Sequence, residues 1–584
     1  MIRIFKELSK KEVILILCTI LLVVLEVWLE LKIPEYMGKI TEIIETEWTQ
    51  LKAIFHQWQF MLLFVLWSAF VATGLAFVSS KVASNFAAKL RLTIYEKVQS
   101  FSMENVKNFS IASLITRETN DVTQVQNMLV DWLQMFTKAP IIGIWALIKI
   151  LQKDIIWSSA PWVAILLLLI LASVLLIVVI PKFKLTQQQV DAVNNSAREH
   201  INGIKVIRAF NAEKFQESKF DEKNSDLMKT NLFTSKAISL MMPCVDLIMH
   251  LLTLAIYFIW AIIISRSAMP DRIWHFSDMM VFSSYTTQLI VATVMLVFVF
   301  FLIPWATVSA RRIAEVLDTN PSIKDWDKKA NSRIKWKVEF KNVSFKYPDA
   351  EEAIIENISF IANPWETIAF IGPTWSWKST IINLIPRFYD ATEWEILIDW
   401  MNIKDYKQKD LRNKIWYIAQ KAFLFKWNIK NNILFWMKKS ERNTDNLNLW
   451  AKVSESKEFI SRQKDWYDAY VALGWNNFSW WQKQRLSIAR AIARNPEILI
   501  FDDSFSALDY KTDLKVRNHL KKYLKETTVF IVAQRIWTIK RADKILVIDQ
   551  WKCVWMWTHE ELLNTCETYK EIALSQLSED ELKI

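Results

Sequence analysis

Six apolar runs of membrane-spanning length fill the first half of this 584-residue chain, and they constrain the fold more than any other feature. A helix needs about 20 apolar residues to cross the hydrocarbon, and in lipid only helices and closed barrels satisfy their own backbone. The approximate spans are 13–33, 59–80, 135–151, 157–181, 240–265 and 276–303. The third is the least apolar, because Lys138 and Lys149 lie in it. The first ten residues, MIRIFKELSK, are basic and amphipathic and suit the interface. The first apolar run is long enough to span, and no small-residue cleavage site follows it, so it reads as a span and not a removable signal.

Charge orients the spans. Segment 81–134 carries six Lys/Arg and segment 182–239 carries ten, whereas 34–58 is rich in glutamate at Glu35, Glu42, Glu45 and Glu47. Positive charge marks the cytoplasmic side, so both basic segments and both chain ends are expected there. This topology accounts for the net charge of +11 without nucleic acid as a partner. The long basic segments keep apolar positions at helical spacing, so the helices are expected to continue beyond the bilayer as stalks. Cys18, Cys244, Cys553 and Cys566 are scattered, which excludes a disulfide scaffold and a cysteine metal site.

Ionisable groups inside spans are costly and tend to face a bundle interior or a water-filled cavity. Glu26 and Glu30 share a face of the first span, and Asp246 and His250 lie in the fifth. Glu26 and Asp246 are therefore candidates for a substrate cavity. The plainer alternative is that all four are solvated.

After Pro304 the pattern changes. Residues 319–336 are polar and basic and read as a linker, and from Val338 short alternating strands give way to strand-turn-helix units. The expected fold is an α-helical membrane domain of six long transmembrane helices followed by an α/β P-loop ATPase domain. The boundaries are 1–318 for the membrane domain, 319–336 for the linker, 337–575 for the ATPase domain and 576–584 for a tail. The loop Gly372, Pro373, Thr374, Trp375, Ser376, Trp377, Lys378, Ser379, Thr380 follows a strand and opens a helix. It matches G-x-x-x-x-G-K-[ST] except that Trp377 stands at the second glycine. Such a loop wraps phosphate with backbone N–H groups, and glycine permits the positive φ and close approach this needs. An indole there obstructs both.

The remaining motifs, in order, resemble the ATP-binding cassette (ABC) exporters, and the resemblance covers nearly the whole length. Gln420 falls at the family's Q-loop, and Phe478, Ser479, Trp480, Trp481 and Gln482 at its signature. Asp502 ends the Walker B strand, and Ser506, Ala507, Leu508 and Asp509 form the D-loop. Gln534 takes the switch position, and Tyr347 matches the aromatic that stacks on adenine. Segments 113–126 and 198–215 resemble cytoplasmic loops of bacterial multidrug exporters. The fold implied is the type I exporter fold in the bacterial cytoplasmic membrane. The cofactors implied are ATP and Mg²⁺, and the partners implied are a second half-transporter chain, membrane lipid and an amphiphilic substrate. Lys378 is expected on the β- and γ-phosphates, and Ser379, Gln420 and Asp502 on Mg²⁺. The signature serves the partner chain's ATP. Loops near 108–121 and 205–216 are expected to pass cassette motion to the helices.

Two departures from the family are chemical. Asp503 stands where the catalytic glutamate belongs and is one methylene shorter, and Gln534 replaces the switch histidine and cannot take up a proton. Both changes resemble the degenerate half of a heterodimeric exporter, with a homodimer or an ATP-incompetent regulatory subunit as alternatives. The third departure is compositional. The chain has 6 Gly and 30 Trp, where average usage predicts about 40 Gly. Trp375, Trp377, Trp480 and Trp481 occupy motif glycine positions. Trp365, Trp394, Trp400, Trp416, Trp427 and Trp551 fall at expected turns where the family commonly has glycine. Reading UGA codons as Trp, where the source organism reads Gly, produces this pattern.

Overall fold

The structure, a computed structural model, describes residues 2–6, 8–46, 51–152, 159–266, 269–325, 337–373, 377–437, 446–472, 477–549 and 552–577. The chain divides into two compact units. One comprises Met1–Ser100 with Phe109–Thr319, and the other Phe101–Asn108 with Asn320–Ile584.

Among the described residues the first unit contains six helices long and apolar enough to cross a membrane, as expected. They are Lys10–Thr46, Leu51–Gln99, Ile111–Leu151, Ser159–Ala209, Glu213–Arg266 and Met269–Asp318. Helices of 49 to 54 residues run well past the roughly 30 Å hydrocarbon, which makes the predicted stalks. Their shared core includes Val23, Val27, Ile142, Ala146, Leu168, Ile256 and Phe282. The lysines of the third span are neutralised by the first. Lys138 Nζ donates to Glu26 Oε1 at 2.7 Å and to Glu30 Oε1 at 2.8 Å, and Lys149 Nζ donates to Glu35 Oε1 at 2.8 Å. Tyr285 of the sixth span adds a hydrogen bond to the carbonyl of Leu31.

In the second unit the strands are β1 Val338–Phe345, β2 Ile355–Ala362, β3 Thr367–Ile371, β4 Glu393–Ile398, β5 Met401–Asn402, β6 Ile415–Ile418, β7 Ile498–Asp502, β8 Thr528–Val532, β9 Lys544–Asp549 and β10 Lys552–Trp557. An antiparallel sheet runs β2-β1-β4-β5. The larger sheet runs β10-β9-β3-β8-β7-β6 and is parallel from β9 to β6. Every residue of β7 (ILIFD) is buried, as a strand covered on both faces requires. The carboxyl ends of β3, β7 and β8 open together, the position where parallel sheets bind ligands. Segment Phe101–Asn108 packs with this unit. Lys107 pairs with Asp349 at 2.7 Å, and the Ser102 and Ser322 hydroxyls meet at 2.6 Å. Segment Phe101–Asn108, which precedes the expected 108–121 loop, thus clusters within the nucleotide unit.

Among the described residues five tryptophans have positive φ: Trp365 (69°), Trp377 (51°), Trp394 (63°), Trp400 (68°) and Trp466 (49°). Trp365, Trp394 and Trp400 sit at turns or register shifts. Glu366 N bonds to Asn363 O, closing a turn with Pro364 at its second position and Trp365 at its third. That is the Pro-Gly position of a type II turn. Asp399 (51°) and Trp400 form the two-residue hairpin between β4 and β5, where Ile398 pairs with Met401. Two positive φ values there define a type I′ turn, whose favoured sequence is Asp-Gly. Trp394 lies where the β1–β4 register shifts between Lys341 and Ser344. Trp416 departs from the expectation: it is inside β6 and not at a turn. Trp551 lies outside the described residues.

Candidate nucleotide site

β3 leads through Gly372 and Pro373 into the helix Lys378–Leu384, so a strand, a loop and a helix N-terminus are arranged as a phosphate cradle requires. Thr374, Trp375 and Ser376 lie outside the described residues. Trp377 caps the helix in the left-handed region. Lys378 is buried, and its ammonium donates to the carbonyls of Gly372 at 3.0 Å and Pro373 at 2.8 Å. Burial lowers its pKa, partly offset by the nearby Asp503 carboxylate. An ammonium held by carbonyl oxygens in a partly desolvated loop is disposed to move onto a phosphate, a stronger partner.

The end of β7 supplies two carboxylates. Asp502 Oδ1 accepts from Ser379 Oγ at 2.5 Å, and Asp502 Oδ2 accepts from Tyr417 OH at 2.6 Å. Asp503 is buried with φ 47°, and its Oδ2 accepts from Gln420 Nε2 at 3.2 Å and Gln534 Nε2 at 3.1 Å. Burial raises the Asp503 pKa. Burial also pushes the Tyr417 phenol up, with the Asp502 charge adding to it. β7, the Q-loop end of β6 and the switch end of β8 therefore converge on one carboxylate.

The oxygens of Ser379 and Asp502 meet directly and suit a hard divalent cation. Among the described residues no cluster of three His, Cys, Asp or Glu forms a stand-alone metal site. Ser379 and Asp502 would hold a Mg²⁺ ion, which would supply charge neutralisation to a bound phosphate.

Tyr347 presents its ring beside Tyr389 (5.2 Å between centroids) and Trp377 (6.3 Å), and its hydroxyl lies 3.3 Å from Thr380 Oγ1. Ser479 caps the helix Trp480–Ile492 in a capping box with Gln482, while Phe478 is buried. Trp480 and Trp481 are half-exposed on the first turn of that helix. In the D-loop, Ser506 Oγ donates to Asp503 O at 2.7 Å, and Leu508 is buried. Asp509 accepts from Thr512 N at 3.0 Å as a helix cap, which lowers its pKa. Ala507 completes that turn.

Three contributors were not singled out from sequence. Tyr417 orients Asp502; its only signal is a phenol three residues before Gln420 on the strand paired with β7. Arg535 Nη1 donates to Leu508 O at 3.3 Å, joining switch to D-loop. Gln576 grips the switch backbone: its Nε2 donates to Gln534 O at 2.8 Å, and its Oε1 accepts from Ile536 N at 2.9 Å.

Residues 15–294 match the ABC transporter transmembrane region, and residues 355–506 match the ABC transporter ATP-binding family. An uncharacterized ABC transporter ATP-binding protein of Mycobacterium tuberculosis is 31% identical over 86% of both chains. The chain belongs to the ABC transporter family. The ATP-dependent lipid A-core flippase of Syntrophus aciditrophicus is 29% identical, over 87% of this chain and 83% of its own. A solved bacterial Atm1-family ABC exporter with ATP bound superposes with TM-score 0.82 at 22% identity, covering 98% of this chain and all of that one. The transporter therefore has the type I exporter fold and an ATPase domain coupled to transport. Exporters of this family work as dimers in the membrane.

In the membrane unit, no hydrogen bond or ion pair joins Glu26 to Asp246 among the described residues. Glu26 is 4% exposed and ion-paired with Lys138. Asp246 is exposed on the fifth span.

Proposed function

We propose that this transporter is the degenerate-site half of a heterodimeric exporter of amphiphiles or lipids. Its own phosphate loop binds ATP that turns over slowly, and its signature completes the partner's faster site. The observation that carries this reading is the Asp503 carboxylate held by two carboxamides, Gln420 and Gln534. A shortened carboxylate sits farther from an attacking water, and a displacement near 1 Å costs on the order of 10²-fold. Gln534 donates a hydrogen bond but cannot take up a proton. The flippase relative and the resemblance to multidrug exporters favour an amphiphilic cargo. The tip between the fourth and fifth spans exposes Val206, Phe210 and Phe215, which suits burial against a second chain. ATP hydrolysis by the purified chain alone, and with its second half-transporter, tests the proposal. Slow turnover alone and fast turnover in the pair are expected; ordinary exporter rates from the chain alone refute it.

The same reading requires glycine at 375, 377, 480 and 481 in the protein the organism makes. Support comes from turn geometry. A left-handed conformation costs an L-residue roughly 1–2 kcal/mol, and five tryptophans among the described residues adopt it. Peptide masses of the native protein decide: glycine masses at 377 and 400 support the reading, and tryptophan masses leave an ATP-incompetent regulatory subunit in its place.

A further inference from the structure

A cavity of about 470 Å³ opens on the nucleotide unit, away from the phosphate loop. That is within the ~300–1,000 Å³ of ligand pockets. Its floor is the sheet surface of Leu499 and Phe501 on β7 and Val529 and Ile531 on β8. Leu520 and Leu524, at the C-terminal end of the helix Tyr510–Tyr523, wall it. The mouth is basic. Lys521, Lys525 and Arg541 are exposed there, and none has an ion-pair partner among the described residues. The other charges at the rim are engaged: Arg517 is held by Asp513 at 2.8 and 3.0 Å, and Asp543 Oδ2 accepts from Thr367 N at 2.7 Å. Trp365 lies at one edge; the floor and the basic mouth are made without it.

We infer that this cavity binds an anionic single-chain amphiphile, with its alkyl chain on the β7–β8 floor and its head group at Lys521, Lys525 and Arg541. Apolar area and unpaired cations in one concavity select such a molecule over a neutral or cationic one. The position gives occupancy a consequence. β7 ends in Asp502, β8 leads to Gln534, and the walling helix begins at the D-loop. A ligand behind these three elements biases the site in front of them, so occupancy changes the rate of ATP hydrolysis by the assembled transporter.

The test uses the full-length transporter with its partner in phosphatidylcholine nanodiscs and a photoreactive diazirine analogue of dodecanoate. Label is expected on peptides within 497–543, competed by dodecanoate and not by dodecyltrimethylammonium. The triple substitution Lys521→Glu, Lys525→Glu, Arg541→Glu is expected to cut it at least tenfold. These side chains are exposed, so the fold is retained. Leu520→Trp fills the cavity while keeping the charge, and is expected to remove label in the same way. Dodecanoate is expected to change ATP hydrolysis at least twofold in the parent and not in the triple variant. Label confined to membrane spans, label unaffected by either variant, or equal label from a neutral dodecanol analogue overturns the site. Specific label with an unchanged hydrolysis rate overturns the regulatory role.

Discussion

Replacing Trp365 and Trp400 with glycine and, separately, with alanine isolates what the backbone demands at these turns. Both substitutions remove the same ring, so lost burial and the Lys337 contact over Trp400 cancel in the comparison. What remains is the backbone. Alanine retains the left-handed penalty of roughly 1–2 kcal/mol. Glycine avoids it but restores about 0.4–1 kcal/mol of freedom to the unfolded chain. Glycine is therefore favoured by about 0.5–1 kcal/mol at each turn. Trp450 is the control: it is buried in the helix Leu447–Val453, where alanine is favoured over glycine by about 0.8–1 kcal/mol. For a unit of this size, 1 kcal/mol moves Tm by roughly 2–4 °C. Calorimetry of the nucleotide-unit transition should place the glycine variants about 1–4 °C above the alanine variants at 365 and 400, and about 2–4 °C below at 450. Alanine equal to or better than glycine at both turns would refute the claim that these positions require glycine.

Asp503→Glu combined with Gln534→His should raise phosphate release from this chain's own site on the order of 10²-fold, and an unchanged rate would place the limiting step elsewhere. Burial raises the Asp503 pKa, so the folded state binds this proton more tightly than the unfolded chain. Asp503 therefore favours folding below the pKa of an unfolded aspartate, and this contribution is lost as pH rises through the raised folded value. Asp503→Asn should accordingly raise Tm at neutral pH and give a smaller gain under acid; an equal gain at both would contradict the linkage. Lys138→Gln leaves Glu26 buried without its cation and should cost about 3–5 kcal/mol, much of it recovered by adding Glu26→Gln; chemical unfolding reports both. Gln576→Ala removes two hydrogen bonds from the switch backbone, worth about 0.5–1.5 kcal/mol each, so the Ile536 amide should exchange roughly tenfold faster in deuterium uptake.

The architecture was legible because its signals are long. Six apolar runs and a strand-loop-helix phosphate motif survive even where single residues are foreign to the pattern. The carboxylate pair Asp502–Asp503 and the positions of Gln420 and Gln534 could be read in order along the chain. Their convergence on one oxygen of Asp503 could not, since it depends on which strand ends the sheet order β8-β7-β6 places side by side. Tyr417 and Gln576 were invisible for the same reason: a phenol in a strand and an amide after a helix acquire meaning only from distant neighbours. Pattern showed Glu26 as a carboxylate in a span but not the lysine 112 positions later that pairs with it.

That pairing of first and third spans bears on how the protein is made. A lysine at mid-membrane raises the cost of inserting a helix by roughly 2.5–3.5 kcal/mol, and the third span carries two. On its own it is a poor candidate to leave the translocon for lipid. The first span is synthesised earlier and carries Glu26, Glu30 and Glu35, the three acids that Lys138 and Lys149 engage. Membrane insertion is then not six independent decisions. The first helix acts as a resident chaperone for the third, and the two must enter the bilayer as companions.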